Sequence, residues 1–420
     1  MGVQLSPFVH KFEDGEDIIL FNTENKAVVG ISKNSFNELF AADSEDAEGL
    51  TKLGFIVDSV EAKKIEFMET VNDPNSFFTK IYFLPTTKCN FSCSYCFEKN
   101  MKKDTMSLNL IDNSIDLISD YIIKNRITDV EIELFGGEPT LYWNNIFRFL
   151  DKLEACFKHN LVNYYVSMTT NGYLLNDSEI NEMMKFNWKK VQITVDGPST
   201  IHDGRRTLKN GAPSFDIIIS NIKKILERDN HPEVILRVNV DINNYKSIPE
   251  LLEYLSIGFN PQDMHLSLSP VTGNGNLTIP EDLWANIFIE LYKKAVQLGF
   301  KLPSYYTYCG LCAAKVQNSF VLNPDGHIYK CTELMDSKVF SLGRIENGIN
   351  NKNLNLLAYR NQYEDCFKKG CSFIPLCHMG CRSESYKAGD ISKPDCHYDL
   401  IMYINESLIL YKRNSGRTHE

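Results

Sequence analysis

Twelve cysteines, and above all where they fall, constrain this chain more than any other feature of its sequence. Three sit on one short stretch as Cys89, Cys93 and Cys96, eight fall between Cys309 and Cys396, and only Cys156 stands alone. Cysteines placed by core packing would be scattered. Six disulfides would suit a small secreted domain, but a chain of 420 residues buries a core without covalent staples. Residues 1–20 also lack the basic stretch and apolar run of a signal peptide. Grouped thiols in a reducing cytosol point instead to metal ligation, and a cytoplasmic location is expected. The net charge of −10 offers no basic surface to a phosphate backbone. No apolar run approaches the roughly eighteen residues of a membrane span. Neither nucleic acid nor a membrane is therefore an expected partner.

Hydropathy patterning predicts three segments. Residues 1–75 form a small α+β unit, with apolar runs Ile18–Phe21 and Ala27–Ile31 flanking polar residues 22–26 as a hairpin. A short helix around Phe36, Leu39 and Phe40, an acidic surface loop over 43–48 and a returning strand at 54–57 complete it. Residues 76–300 alternate strand and helix. Ile81–Leu84 opens the series, and Ile111, Ile115, Ile118 and Ile122 then recur on one helical face. Val130, Ile132 and Leu134 alternate with Glu131 and Glu133 as a strand, and Ile146, Leu150, Leu153 and Phe157 mark the next helix. Further strands are expected at 164–168, 191–195, 234–240 and 265–268, with helices around 179–185, 215–226, 248–255 and 284–296. Six βα units make an α/β fold, a partial (βα)6 TIM-type barrel whose active site belongs at the strand C-termini. Residues 301–420 read as loop-rich and cysteine-dense, with too little periodicity for a large core, so that metal is expected to hold them.

Cys89, Cys93 and Cys96 follow the first barrel strand with the spacing C-x3-C-x2-C. Three thiolates on one loop hold three irons of a 4Fe–4S cubane and leave the fourth open for chemistry. The alternative is zinc, which more often uses C-x2-C pairs and needs a fourth ligand in a structural site. Gly136-Gly137-Glu138-Pro139 ends the second strand, Ser167–Gly172 ends the third, and Asp196-Gly197-Pro198 with His202, Asp203 and Arg206 follows the fourth.

These elements together resemble the radical S-adenosylmethionine superfamily. The aromatic Tyr95 before the third cysteine matches its cluster loop, and Gly136, Gly137, Glu138 and Pro139 match its GGEP element, which contacts the methionyl amine. Ser167 and Asn171 fall in the segment that lies near the cofactor ribose. The resemblance implies an iron–sulfur cluster on Cys89, Cys93 and Cys96 that binds S-adenosyl-L-methionine. It further implies one-electron cleavage of that cofactor to a 5′-deoxyadenosyl radical, with the protein supplying orientation and exclusion of water.

The C-terminal spacing is similar to that of the SPASM extension. Cys309 and Cys312 are followed by Gly326 and Cys331, and after a gap come Cys366, Cys371, Cys377 and Cys381, then Cys396. Cys366 and Cys371 are separated by four residues where the pattern has two. The resemblance implies two auxiliary 4Fe–4S clusters, one on Cys309, Cys312, Cys331 and Cys381 and one on Cys366, Cys371, Cys377 and Cys396. Cys156 is left to core packing on a helical face.

SPASM proteins mostly modify peptides or proteins, so the resemblance implies a maturase of ribosomally made peptides (RiPP maturation), of the sactipeptide or ranthipeptide type, that installs a crosslink, most simply a thioether. Its partners would be a precursor peptide with a leader, captured by strand addition to the N-terminal unit, and a reductant such as flavodoxin or ferredoxin. A second enzyme reading is an anaerobic sulfatase-maturating, formylglycine-forming enzyme. Against it, eighty-eight residues precede Cys89, and Thr332 stands after Cys331 where those enzymes place an Asp, with Glu333 one residue later. A non-catalytic iron–sulfur electron carrier is the third, but it would need no cofactor site.

Overall fold

The structure, a computed structural model, describes residues 3–39, 45–73, 78–273, 275–350 and 363–416. It divides into two compact units, one of residues 1–77, 303–315 and 358–420, the other of residues 78–302 and 316–357. The segment beyond residue 300 is thus shared between the two units.

In the first unit, β1 (Gln4–Leu5) precedes a three-stranded antiparallel sheet of β2 (Val9–Asp14), β3 (Asp17–Asn22) and β4 (Val28–Ser32). β3 and β4 are the hairpin expected from the two apolar runs, in register Phe21 to Val28. β2, which the patterning did not flag, joins β3 through a tight turn at Gly15, whose φ of +61° suits glycine. α1 (Lys33–Glu38), capped by the Ser32 side chain, supplies the expected helix; Phe40 lies outside the described residues. Residues 43–44 also lie outside them, and from Glu45 the acidic stretch is not a loop but α2 (Glu45–Lys52). The helix turns Leu50 into a core with Ile18, Leu20, Leu39, Phe55 and Ile56. β5 (Ile56–Val57) pairs with β1, and α3 (Val60–Asn72) starts at the Ser59 cap.

The C-terminal part of this unit carries α11 (Tyr363–Lys368), α12 (Ile374–Cys377), α13 (Arg382–Lys387) and α14 (Tyr398–Asn414). Phe8 and Phe67 from the N-terminal stretch pack with Tyr363, Ile374 and Met379 in one buried cluster. Within a segment otherwise rich in loops and short turns, α14 is a long regular helix. Its Leu400, Ile404 and Leu408 recur every four residues and are buried with Ile401 and Ile409.

The second unit is the barrel. β6 (Thr79–Thr86), β7 (Asp129–Gly136), β8 (Asn163–Thr170), β9 (Trp188–Thr194), β10 (Glu233–Val240) and β11 (Met264–Pro270) are parallel and adjacent in chain order. The helices between them are α4 (Leu108–Lys124), α5 (Trp143–His159), α6 (Asp177–Met183), α7 (Ser199–Arg205), α8 (Phe215–Leu226) and α9 (Ile248–Gly258), with α10 (Glu281–Gln297) after the last strand. α4 begins at the Ser107 cap and buries the four isoleucines of its predicted face. The sheet stays open. β12 (Phe320–Leu322) adds in parallel to the outer side of β6, and β13 (His327–Tyr329), β14 (Gly343–Arg344) and β15 (Gly348–Ile349) extend it antiparallel. This is the α/β partial barrel expected from the alternation. Glu131 and Glu133 on β7 are nonetheless buried, because Lys80 reaches both at 3.1 and 2.8 Å. A strand with two buried faces pairs its polar residues instead of exposing them.

Candidate active site

The three-cysteine loop leaves β6 at its C-terminal end and is held by backbone pairing that no local sequence signal announces. Lys209 N donates to the Asn90 carbonyl at 2.9 Å, Ser92 N to Thr207 at 2.8 Å and Ser94 N to Arg205 at 3.2 Å. The loop is thereby zipped against residues 205–209, the end of α7 and the stretch after it. Side chains reinforce the clamp. The Tyr95 hydroxyl donates to the Asp196 carboxylate and accepts from Arg206 Nη1 at 2.6 Å and Asn239 Nδ2 at 3.1 Å. Asp196 is fully buried and takes a second donor, the Asn239 backbone N–H at 2.8 Å. Arg205 pairs with buried Asp241 at 2.6 Å. Tyr95 is therefore placed as the anchor of the loop to β9 and β10. Burial pushes its phenol well above the ordinary range, with Arg206 opposing.

Cys89, Cys93 and Cys96 are each half-buried and carry no disulfide. Burial pushes all three thiols up, Cys89 to about 12 with the Glu138 charge adding to it, while Arg206 and Arg205 pull on Cys93. Raised thiols are protonated at neutral pH, and metal binding would displace the protons. Among the described residues no three His, Cys, Asp or Glu side chains converge on a point suited to one ion. A cubane spreads its thiolates over separate irons and asks for no such convergence.

Gly136 and Gly137 end β7 where it meets the root of this loop. Gly136 has φ +119°, and a Cβ on either glycine would run into backbone, at Thr86 for Gly136 and at Thr87 and Lys88 for Gly137. Gly137 N donates to the Thr86 carbonyl at 3.2 Å and Glu138 N to Lys88 at 2.9 Å. The GGEP turn thus lies against the two residues that lead into Cys89. The Glu138 carboxylate is buried; its Oε1 accepts from Thr140 N, Thr140 Oγ1 and Thr170 Oγ1, and its Oε2 from Asn171 N at 2.7 Å. Burial nevertheless pushes its pKa up. Pro139 opens the short helical turn that Glu138 caps.

Asn171 reaches across to the loop, donating to Asn90 Oδ1 at 2.8 Å with Cys89 Sγ at 4.0 Å. Ser167 sits elsewhere. It is fully buried part-way down β8, in register with Glu133 and Lys190. Asp203 caps the start of α8 through Ser214 and Phe215. His202 is buried, its Nδ1 accepting from Asp196 N at 3.3 Å, and burial with Arg206 and Arg205 beside it holds it down at about 3. Sequence reasoning missed Arg205, Asn239 and Asp241. Two adjacent arginines, and polar Asn239 and Asp241 at and just past the end of β10, were the available signal. It also missed Glu98, buried two residues after Cys96, whose Oε1 has no hydrogen-bond partner and whose pKa burial pushes up to about 7.

The C-terminal cysteines fall into two groups in the first unit. Cys309 lies within hydrogen-bond reach of Cys312 and Cys381, and that sharing pushes Cys309 up and pulls Cys312 down. Cys366, Cys371, Cys377 and Cys396 interact electrostatically with one another, and burial raises Cys366, Cys371 and Cys377. Cys331 belongs to the second unit, two residues after β13. Cys156 donates to Ser119 Oγ at 3.0 Å, between α5 and α4.

Residues 83–255 match the family model of the Radical SAM superfamily. A cysteine-type anaerobic sulfatase-maturating enzyme of Clostridium novyi (strain NT) is 26% identical over 336 residues, covering 71% of this chain and 86% of that one. Among solved structures, native anSMEcpe with bound AdoMet superposes with a TM-score of 0.59 at 19% identity, covering 80% of this chain and 98% of that chain. Streptococcus suis SuiB bound to precursor peptide SuiA gives a TM-score of 0.55 at 14% identity over 95% of this chain and 99% of that chain. These two likenesses extend the shared fold well beyond the barrel. No helix among the described residues is long and apolar enough to cross a membrane.

Proposed function

We propose that this chain, a radical SAM enzyme by its domain at residues 83–255, is a peptide maturase. It would abstract hydrogen from a ribosomally made precursor and install a crosslink, for which we favour a thioether. The observation that carries the reading is the coincidence of a three-thiol loop with a glycine cradle at the ends of β6 and β7. The likeness of fold to SuiB, solved with its precursor peptide, supports a peptide substrate.

The residues fit the implied groups. Three thiols on one short loop suit a cluster with one open iron, held by Cys89, Cys93 and Cys96. The Glu98 Oε1, which has no hydrogen-bond partner among the described residues, and the Glu138 Oε2, which accepts from Asn171 N, are acceptors of the kind suited to an ammonium group. When bound, S-adenosylmethionine and the cluster supply the hydrogen-abstracting radical. The chain's own part is orientation: Tyr95, Arg206 and Asp196 hold the cysteine loop, and Glu138 and Asn171 tie the GGEP turn to β8. Cys309, Cys312, Cys331 and Cys381, and Cys366, Cys371, Cys377 and Cys396, are proposed as the auxiliary ligands. β4 pairs only with β3 among the described residues, which leaves an edge where a leader peptide would add a strand. A flavodoxin or ferredoxin is proposed as the electron donor.

The sulfatase-maturating reading is favoured by one observation, the relative from Clostridium novyi that matches 71% of this chain. That reaction needs a base beside the substrate as well as a hydrogen acceptor, and Thr332 follows Cys331 with Glu333 next. The deciding experiment is anaerobic turnover with the cognate precursor and, separately, with a sulfatase-derived Cys or Ser peptide. The expected result is loss of two hydrogens per modification of the precursor, stable to thiol reductant, and no aldehyde from the other peptide. An aldehyde that disappears in Glu333→Gln would establish the second reading.

A further inference from the structure

A cation lies between the two cysteine groups of the first unit. Lys315, three residues after Cys312, directs its ammonium at Cys309 Sγ (3.9 Å), the Gly310 carbonyl (2.6 Å) and the Cys377 carbonyl (3.5 Å). Its own backbone N–H donates to the Cys312 carbonyl at 2.9 Å, fixing the turn from which the side chain departs. Cys309 belongs to one group and Cys377 to the other. The Lys315 charge draws on Cys309 and Cys312 of the first group and on Cys377 of the second. All of its acceptors are sulfur or backbone oxygen; among the described residues no carboxylate pairs with it. The ammonium is half-buried, and its acceptors are one cysteine sulfur and two neutral carbonyl oxygens, so its charge is left to act on what lies around it.

We infer that Lys315 is a positioning residue for electron flow, holding up the reduction potentials of the two auxiliary clusters by placing one positive charge between them. The inference rests on the proposed ligation of those clusters. A cubane bound by four thiolates is anionic, and taking one electron makes it more so. Hydrogen bonds to its sulfurs and nearby charge set its potential. An ammonium on a Cys309 sulfur and against the Cys377 backbone stabilises the reduced form of each cluster over the oxidised one. It also eases the repulsion when both are reduced.

The test is an EPR-monitored redox titration of the full chain carrying Cys89→Ala, Cys93→Ala and Cys96→Ala, so that only auxiliary signals remain. Lys315→Gln keeps a donor toward Gly310 and removes the charge; Lys315→Arg keeps the charge. The expected result is a lower midpoint in Lys315→Gln. At a poise where the parent is half reduced, the reduced-to-oxidised ratio falls about tenfold, about 59 mV for a one-electron couple, while Lys315→Arg stays near the parent. Full auxiliary iron with an unchanged midpoint in Lys315→Gln would overturn the inference alone. A parent that binds no auxiliary iron would overturn the cluster reading, and the inference with it. Iron lost equally from Lys315→Gln and Lys315→Arg would show a purely structural role and would also overturn it.

Discussion

Gly137→Ala isolates the contact between the Gly136-Gly137 turn and the root of the cysteine loop. Gly137 is not at positive φ, so an added methyl tests space alone. Its Cβ would stand 2.6 Å from the Thr87 carbonyl oxygen and 2.6 Å from the Lys88 carbonyl carbon, where ordinary contact begins at 3.4 Å. Backbone cannot swing aside like a side-chain tip. The turn and the root of the cysteine loop must therefore part, opening the 2.9 Å bond from Glu138 N to Lys88 O. Overpacking of this kind costs about 1–3 kcal/mol in stability. A displacement of roughly 1 Å at a reacting centre costs on the order of a hundredfold in rate. The assay is 5′-deoxyadenosine release from anaerobically reconstituted protein, read beside iron content and the urea midpoint. Gly204→Ala is the control, since that exposed glycine of α7 has nothing within 4 Å of its would-be Cβ. It should be neutral or stabilising by about 0.5–1 kcal/mol. A Gly137→Ala enzyme that releases 5′-deoxyadenosine at the parent rate would refute the idea that this close approach positions Cys89.

Tyr95→Phe strips a shared hydroxyl from buried Asp196, Arg206 and Asn239, and is expected to cost about 1–3 kcal/mol with a parallel drop in cofactor cleavage; an unchanged urea midpoint would show that the hydroxyl is no anchor. His202 is held down at about 3 from its ordinary 6.5, so between those values the unfolded chain binds a proton that the folded one does not. Stability is therefore full above pH 6.5 and falls as the pH drops toward 3, by at most about 1.4 kcal/mol per unit; His202→Gln should flatten this slope, and an identical slope would count against the assignment. Phe67→Ala empties the cluster with Phe8, Tyr363, Ile374 and Met379, at a cost of about 3–5 kcal/mol, and should lower the iron proposed to bind Cys366 and Cys371. Full iron and an unshifted melting temperature would show that this packing does not support the cysteines. The same contact makes deletion of residues 1–70 a poor test of leader binding, because it would uncover Tyr363 and Ile374.

Local period and spacing are written residue by residue along the chain. The isoleucine face of α4 and the alternating strands of the barrel follow from which side of each element is apolar. The cysteine groups and the two glycines before Glu138 were legible because that chemistry tolerates few other residue types at those spacings. Partners distant in the chain are set by folding. Nothing near Cys89 announces that residues 205–209 will clamp its loop, since backbone pairing of that kind carries no side-chain code. The burial of Glu131 and Glu133 depends on Lys80 from a neighbouring strand. α14, although its leucines recur at helical spacing, was obscured by the cysteine-rich loops before it, and its core residues became visible only once folded. Lys315 shows the same limit most plainly. In sequence it is one lysine three residues after a cysteine; in space its charge meets a sulfur and a carbonyl from Cys309 and Cys377, sixty-eight positions apart. Electrostatic neighbourhoods are set by packing, and packing is a property of the whole chain.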